Sequence, residues 1–197
     1  MKVSPPPLLP ILRSKNQALI LAKVLLNPSI EMSMGKIAES VGVSLPTVSR
    51  EVGRAEKAGL VVTRREGRSS LVSANQGSPF YEPMARLLLL SFGPLTVAIE
   101  ELSEIEGVEQ AFLYGSWAAR YVGESGPAPH DLDILLIGKP DRSSAWAAAD
   151  RMERRLEVRV QIVVRTLARW ADPGDDPFLK DVKAGPVVLI PLPGSAS

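Results

Sequence analysis

The segment that most constrains the fold is "DLDILLIG", residues 131–138, because five consecutive apolar or nearly apolar positions follow two carboxylates. A short apolar run that ends at a glycine is typical of a strand buried inside a sheet. Asp131 and Asp133 lie two residues apart, so both side chains project from the same face of that strand. Two carboxylates beside a buried strand are costly unless a positive group lies between them. The sequence therefore predicts a charged site on a buried sheet.

The residues around this strand predict an α/β arrangement for the back half of the chain. Apolar runs at "VEQAFLYG" and "VRVQIVVRT" predict further strands, and "PVVLIPL" predicts a short final one. Helical patterns separate them, at "SWAARYVG", "SSAWAAADRMERRLE" and "LARWADPGDDPFLKDVKAG", where Pro173-Gly174 breaks the last of these. We expect a mixed sheet flanked by helices over residues 107–197.

The front half has a different pattern. Apolar residues at helical spacing predict helices at "SKNQALILAKVLLN", "MSMGKIAESVGV" and "SLPTVSREVGRAEKAGL". Ser33 and Ser44 are suitable N-caps, and Gly42 and Gly59 are suitable ends. "LVVTRREGRSSLVSAN" then predicts two strands around a turn at Glu66-Gly67-Arg68. We expect a flexible proline-rich arm over residues 1–13, a first domain over 14–77 and linking helices over 78–106.

The charge distribution also divides the chain. Residues 1–77 contain eleven Lys and Arg against five Glu, a net charge of +6, which leaves −5 for the remainder of a chain whose net charge is +1. A basic front half and an acidic back half predict two domains with different partners. The absence of cysteine excludes disulfides and thiolate metal sites, and the single histidine, His130, excludes a histidine-rich metal site within one chain.

No segment predicts export or membrane insertion. Four prolines interrupt the apolar residues of the N-terminus, "MKVSPPPLLPILRS". The run "MARLLLLSFGPLTVAI", residues 84–99, is shorter than a bilayer span requires and contains Gly93-Pro94. We expect a cytoplasmic protein without a membrane partner, in which the Leu87–Phe92 cluster is buried or forms an oligomer interface.

The front half resembles bacterial winged helix-turn-helix transcription regulators, over roughly residues 14–75. The resemblance rests on two helices joined by "GVS" and on the basic hairpin that follows them. It implies double-stranded DNA as a partner, and a homodimer, because such regulators commonly read two-fold sites. Hydroxyl and cationic side chains are expected to contact bases and phosphates, from the third helix (Thr47, Ser49, Arg50, Arg54, Lys57) and from the hairpin (Arg64, Arg65, Arg68). The alternative is an ordinary solvated face, with Glu51 and Glu56 reducing the positive field.

The back half contains a second motif, in which Gly115-Ser116 joins a strand to a helix. A helix N-terminus attracts phosphate, glycine allows close approach, and the serine hydroxyl adds a donor. Asp131 and Asp133 facing that helix would suit Mg²⁺, which commonly bridges carboxylates and substrate phosphates. This order, Gly-Ser followed by Asp-x-Asp, resembles minimal nucleotidyltransferases of the DNA polymerase beta superfamily over about residues 105–190. The resemblance implies that Gly115, Ser116 and Arg120 hold an NTP, and that Asp131 and Asp133 are catalytic metal ligands.

One position departs from that family. The superfamily usually supplies a third carboxylate from the next strand, where this chain has Gln161. An amide cannot act as a general base and brings no charge to offset a metal. Three alternatives therefore stay open for the back half: binding of Mg-nucleotide without turnover, active transfer of NMP to a protein, RNA or small molecule, and a purely structural domain.

Together these patterns predict a two-domain α/β (α+β) protein: a DNA-binding regulator that carries a nucleotidyltransferase-like domain. One alternative is that the protein is primarily an enzyme, a nucleotidyltransferase whose winged helix binds the substrate. Another is the antitoxin-like member of a toxin–antitoxin pair, with a toxin as the protein partner.

Overall fold

The computed structural model describes residues 12–67, 69–124, 126 and 129–193. The chain forms two compact units, Met1–Gly93 and Pro94–Ser197. Their boundary lies within the segment 78–106 that the sequence assigns to linking helices, so those helices are divided between the two units. Most of the proline-rich arm, residues 1–11, lies outside the described residues, as does Arg68.

The first unit contains four helices and a small antiparallel sheet among its described residues. The helices are α1 (Lys15–Leu25), α2 (Met34–Val41), α3 (Leu45–Lys57) and α4 (Tyr81–Phe92). The strands are β1 (Met32–Ser33), β2 (Val61–Glu66) and β3 (Ser69–Ala74), in the order β1-β3-β2. The three predicted helices and the hairpin are confirmed, and their order is that of a winged helix. The two-residue strand β1 is new, since it is too short to show a period-two pattern.

Local signals fix the ends of these helices. Ser33 accepts a hydrogen bond from the Lys36 amide and so caps α2, and Gly42 ends that helix with a φ of 68°. Ser44 precedes α3 but caps no amide, and its hydroxyl bonds to that of Thr47 at 2.9 Å. One face of α3 is buried through Val48 and Val52. The opposite face of α3 is therefore free for a partner.

Helix α4 completes the core of the first unit. Leu88 is fully buried, and the Tyr81 hydroxyl donates a hydrogen bond to the Leu25 carbonyl of α1 at 3.1 Å. Leu87 and Leu90 are instead 45% and 52% exposed. The apolar cluster is therefore buried on one side only, because α4 packs on α1 along a single face.

The apolar run predicted to be too short for a membrane span is longer in the structure. Tyr81–Leu102 covers 22 residues and is long and apolar enough to cross a bilayer by length and composition alone, as the core helices of soluble proteins also can be. The predicted interruption at Gly93-Pro94 is confirmed, since it divides this stretch into helices of 12 and 9 residues, each shorter than a bilayer span. The backbone at Gly93 is extended, with a ψ of 178°, so α4 ends there and a new helix begins at Pro94.

The second unit is a mixed four-stranded sheet with helices. Its helices are α5 (Pro94–Leu102), α6 (Gly115–Val122), α7 (Arg142–Leu156), α8 (Leu167–Ala171) and α9 (Pro177–Ala184). Its strands are β4 (Val108–Tyr114), β5 (Asp131–Gly138), β6 (Arg159–Arg165) and β7 (Val187–Leu189), in the order β6-β5-β4-β7. The β5–β6 pair is parallel and the other pairs are antiparallel. Residues Leu132 to Ile137 of β5 are buried except Asp133, as the run of apolar residues predicts.

The close crossing at the end of β5 gives a stability prediction. A Cβ at Gly138, where φ is 132°, would lie 2.2 Å from the Gly107 carbonyl oxygen. We expect Gly138→Ala to lower the free energy of unfolding by about 3 kcal/mol or more, since it combines backbone strain with a backbone clash. Gly123→Ala is the matched control, because φ there is 96° but nothing lies within 4 Å of the added Cβ. If urea unfolding showed the same loss of unfolding free energy for Gly138→Ala and Gly123→Ala, the clash at Gly138 would be contradicted.

Candidate functional site

The exposed side of α3 and the hairpin β2–β3 form the first candidate site, which we call the basic face. Ser49, Arg50, Arg54 and Lys57 are exposed, and Thr47 is half-buried. The buried residues Val48, Val52 and Ala55 lie on the other side of the helix. Arg64 and Arg65 are exposed on β2. Helical spacing and strand pairing thus bring the described members of the predicted DNA-binding set to the surface of the first unit.

Ion pairs divide the cations of the basic face into two groups. Arg54 pairs with Glu51 at 2.5 Å, and Arg64 pairs with Glu31 at 2.7 Å and with Glu66 at 3.5 Å. Among the described cations of the basic face, those without a salt bridge are Arg50, Lys57 and Arg65. Arg50 has only a 3.5 Å contact from Nη2 to the Thr47 hydroxyl. We call these three the uncommitted cations. Because no described carboxylate is paired with them, they can bind an anion without first breaking a salt bridge.

Glu31 is a residue of the basic face that the sequence did not reveal. The hydrogen bond from Arg64 lowers the pKa of Glu31, and the charge of Arg64 adds to this effect. Glu31 precedes β1, and Arg64 lies 33 residues later on β2, so no local pattern connects them. Antiparallel pairing of β1 and β2 with β3 brings the two strands into one sheet, which accounts for the contact.

A notch lies where the N-terminal ends of α2 and α3 meet the start of β3. Its volume is about 550 Å³, and its lining is Ser33, Met34, Gly35, Leu45, Pro46, Ser49 and Ser69. Leu45 is 52% exposed, which is high for a leucine at the start of a helix with a buried face. The sequence offered one signal for this feature, an apolar residue between Ser44 and Pro46.

The second candidate site, which we call the acidic pair, consists of Asp131 and Asp133 at the start of β5. Asp133 lies opposite Tyr114 of β4 and opposite Gln161 of β6. A Cβ at Gly115, where φ is 68°, would lie 2.7 Å from the Asp133 carboxylate. Glycine is required there both by the backbone conformation and by this close approach. The structure therefore brings the predicted Gly-Ser turn against the acidic pair.

Gln161 lies where the sequence placed the missing third carboxylate. Its amide Nε2 donates a hydrogen bond to Asp131 Oδ2 at 3.1 Å, with the assignment of the amide nitrogen and oxygen following from this bond. Burial raises the pKa of Asp133, and the neighbouring charge of Asp131 raises it further. Neither aspartate forms a salt bridge with any residue in the described ranges. The pair thus has no salt bridge among the described residues, although Arg159 of β6 lies opposite Asp131 in the sheet.

Asp131 and Asp133 could supply two carboxylate ligands to a hard divalent cation, whose other coordination positions would then be open. The described part of the chain contains no group of three or more His, Cys, Asp or Glu that could hold a metal. A cation would therefore take protein ligands from Asp131 and Asp133, with the Gln161 carbonyl as a neutral third ligand if its amide is rotated. Mg²⁺ is often held in this way, by one or two carboxylates together with substrate phosphates and water.

The other predicted nucleotide contacts differ in their surroundings. Ser116 is exposed at the second position of α6. Arg120, on the same helix, donates from Nη1 to the Glu124 carbonyl at 2.6 Å, and its Nη2 would lie 2.8 Å from a Cβ at Gly126. The Arg120 side chain thus supports the loop after α6, and a phosphate contact for it stays a prediction. His130 is exposed beside the acidic pair.

The sequence also missed a group of residues next to the acidic pair. Burial raises the pKa of Tyr114 to about 12, with Asp133 adding to this effect, so its phenol stays protonated at neutral pH. The ring of Phe178 meets that of Tyr114 edge to face at 5.5 Å. Arg165 lies over Phe178 at 5.1 Å and donates to Asp176, the N-cap of α9, at 3.1 Å. Strand β6 and helix α9 are therefore joined beside the acidic pair.

Comparisons with known proteins give similarities to solved structures over part of the chain. No protein-family model and no curated protein matches the chain. Solved structures similar to it over about two fifths of its length include a transcription regulator and a winged helix-turn-helix DNA-binding domain. HlyU of Vibrio cholerae is 23% identical, with 42% of this chain and 81% of that chain covered and a TM-score of 0.34. MepR, a transcription regulator of the Staphylococcus aureus multidrug efflux pump MepA, is 14% identical, with 38% and 54% covered and a TM-score of 0.33.

A third similar structure is the homodimeric winged helix-turn-helix DNA-binding domain Mb0332 of Mycobacterium bovis, described as a possible ArsR-family regulator. It is 28% identical to this chain, with 45% of this chain and 70% of that chain covered and a TM-score of 0.30. This chain spans only about half of MepR, at 54% of its length.

Proposed function

We propose that the chain is a cytoplasmic, DNA-binding transcription regulator. The observation that carries this proposal is the set of uncommitted cations, Arg50, Lys57 and Arg65, on the exposed face of α3 and on the adjacent strand β2. A clustered basic face on a helix-turn-helix and wing is the expected footprint of a DNA-binding module. The +6 charge of residues 1–77 supports it further.

Each part of the basic face has a role in this proposal. Helix α3 enters the major groove, where the Arg50 guanidinium pairs with a guanine edge and the hydroxyls of Thr47 and Ser49 contact bases or phosphates. Lys57, at the other end of α3, contacts a phosphate. Arg65 and the wing follow the neighbouring backbone, and a DNA contact for Arg68, which lies outside the described residues, stays a prediction. Arg54 and Arg64 contribute less, because Glu51 and Glu31 already neutralise them.

The exposed side of α4 supports a homodimer. Phe80, Pro83, Leu87 and Leu90 are exposed and follow one another at helical spacing, with Phe80 63% exposed. An apolar stripe of this kind is suited to packing against a second copy, which would give the two-fold symmetry of a palindromic operator. A monomeric mass by light scattering at micromolar concentration would count against the dimer.

A gel shift with genomic DNA fragments tests the regulator proposal. We expect the wild-type protein to retard some fragments, and Arg50→Ala/Lys57→Ala, which removes the two cations of α3 that form no salt bridge among the described residues, to leave them unretarded. Retardation unaffected by this double change would contradict DNA binding by α3.

We further propose that the second unit binds Mg-nucleotide. The supporting observation is the acidic pair, which forms no salt bridge among the described residues and lies against Gly115. Asp131 and Asp133 would hold the metal, and the Gly115 and Ser116 amides with the Ser116 hydroxyl would hold phosphates. A metal held there would draw charge from the phosphates and the leaving pyrophosphate. Tyr114, as a protonated phenol, would donate a hydrogen bond to a carboxylate or a ligand oxygen.

Gln161 gives a test that separates binding from transfer. Gln161→Glu adds a carboxylate opposite Asp133. We expect it to increase Mg²⁺ affinity by roughly tenfold or more, as a change in coordinating charge does, and to raise transfer of label from an α-labelled NTP. Transfer by the wild-type protein that is abolished in Asp131→Asn would favour the alternative of an active nucleotidyltransferase. The acceptor in that case is a protein, including a toxin encoded beside this chain, an RNA or a small molecule.

A further inference from the structure

The notch between α2, α3 and β3 differs in chemistry from the rest of the basic face. Three of its lining residues, Met34, Leu45 and Pro46, are apolar, and none of its lining residues is charged. The apolar residues lie together at the N-terminal ends of two helices, and Leu45 and Pro46 are exposed. These three apolar side chains offer a phosphate no hydrogen-bond donor, whereas Ser33, Ser49 and Ser69, which also line the notch, could bond to one.

The position of Leu45 places the notch on the side of α3 that reads DNA. Leu45 and Ser49 are four residues apart, and Pro46 and Arg50 are four residues apart, so each pair shares a face of the helix. The N-terminal residues of a recognition helix are those that contact base edges in the major groove. If Ser49 and Arg50 face the groove, Leu45 and Pro46 face it one turn earlier.

One apolar group is available to such a surface in the major groove, the 5-methyl group of thymine. We propose that the notch formed by Met34, Leu45 and Pro46 receives a thymine methyl group next to the base that Arg50 contacts. The inference rests on the proposed DNA binding and adds a determinant of sequence choice to it. Ser49 and Ser69, at the rim of the notch, would bond to the base edge or to the flanking phosphate.

Deoxyuridine isolates the methyl group, because it differs from thymidine in that group alone. The preferred site is first selected from random duplex DNA with the full chain, and each thymine of that site is then replaced in turn by deoxyuridine. Burial of one methyl group predicts that replacing the contacted thymine of one half-site weakens wild-type binding about fourfold. In Leu45→Ala the same replacement is expected to change binding by less than about twofold, since the methyl group no longer has a partner.

The Leu45→Ala variant should fold, because the Leu45 side chain is already half exposed. Its circular dichroism and its salt dependence of binding are expected to match the wild type, since every phosphate contact is retained. Ser29→Ala, a small exposed change away from the notch, is the matched control and should keep the full deoxyuridine effect.

The outcomes separate this inference from the regulator proposal. Selection of a site whose binding depends on Arg50 but is unaffected by deoxyuridine at every thymine overturns the methyl contact alone. A selected site without thymine does the same. Failure to enrich any sequence overturns the regulator proposal, and the methyl contact with it.

Discussion

Arg50→Ala is expected to weaken binding to the preferred DNA site by roughly 5- to 150-fold, the effect of removing a bidentate contact to a base. The same change should leave binding to random DNA almost unaltered. Arg50 is the cation of α3 best placed for this role, because it is exposed and its only described contact is the 3.5 Å approach to the Thr47 hydroxyl. Fluorescence anisotropy with the selected site and with a scrambled duplex measures both effects.

Lys57→Gln is the matched control for Arg50→Ala, since it removes one exposed cation from the same helix. Removal of a phosphate contact at Lys57 should weaken both duplexes equally and lower the slope of log affinity against log salt by about one. If Arg50→Ala also weakens both duplexes equally, Arg50 contacts the backbone and does not read a base. Arg54 is a poorer probe, because its removal leaves the largely buried Glu51 carboxylate without its partner.

Asp131→Asn/Asp133→Asn is expected to abolish Mg²⁺-dependent binding of NTP. Loss of a group that only hydrogen-bonds to a metal ligand weakens metal binding roughly 10- to 100-fold. Loss of both carboxylate ligands should weaken it further. Isothermal titration with each NTP, in the presence and absence of Mg²⁺, measures this. The control is Asp150→Asn/Asp175→Asn, which removes the same charge from exposed positions elsewhere in the second unit. Wild-type protein that binds no NTP would contradict the second proposal.

The same pair of variants has a stability readout that needs no ligand. The pKa of Asp133 is raised by burial and by Asp131, so the folded state binds a proton more tightly than the unfolded state does. Its charged form therefore lowers the free energy of unfolding, and this destabilisation is relieved as pH falls through the raised pKa. We expect Asp131→Asn/Asp133→Asn to raise Tm at neutral pH. An unchanged or lower Tm would show that the negative charge of the acidic pair does not destabilise the fold.

Much of the fold could be predicted because its signals are local. Ser33 and Gly42 define the ends of α2, and the apolar run after Asp133 defines a strand that is buried in a sheet. The resemblance placed Gln161 at the position of a third carboxylate, and parallel pairing sets it opposite Asp133. Period, caps and turn residues are short-range properties, so the sequence displays them directly.

The remaining features depend on contacts between distant residues. The Glu31–Arg64 pair requires β1, β2 and β3 to form one sheet, and β1 is too short to be recognised from its two residues. The group around Tyr114 requires β4, β6 and α9 to meet. Arg120 was expected to contact phosphate because it follows Gly-Ser, whereas its contact with the Glu124 carbonyl depends on how the next loop turns back. Sequence spacing does not report such contacts.

The close approach of Gly115 to the Asp133 carboxylate has a thermodynamic consequence. An anion at the Gly115 amide lies beside that negative charge, and a cation held by Asp133 reverses the sign of the local field. The affinities for anion and cation are then linked by one coupling free energy, and each ligand must strengthen the other by the same factor. Titrations of Mg²⁺ at fixed NTP and of NTP at fixed Mg²⁺ should therefore yield the same cooperativity.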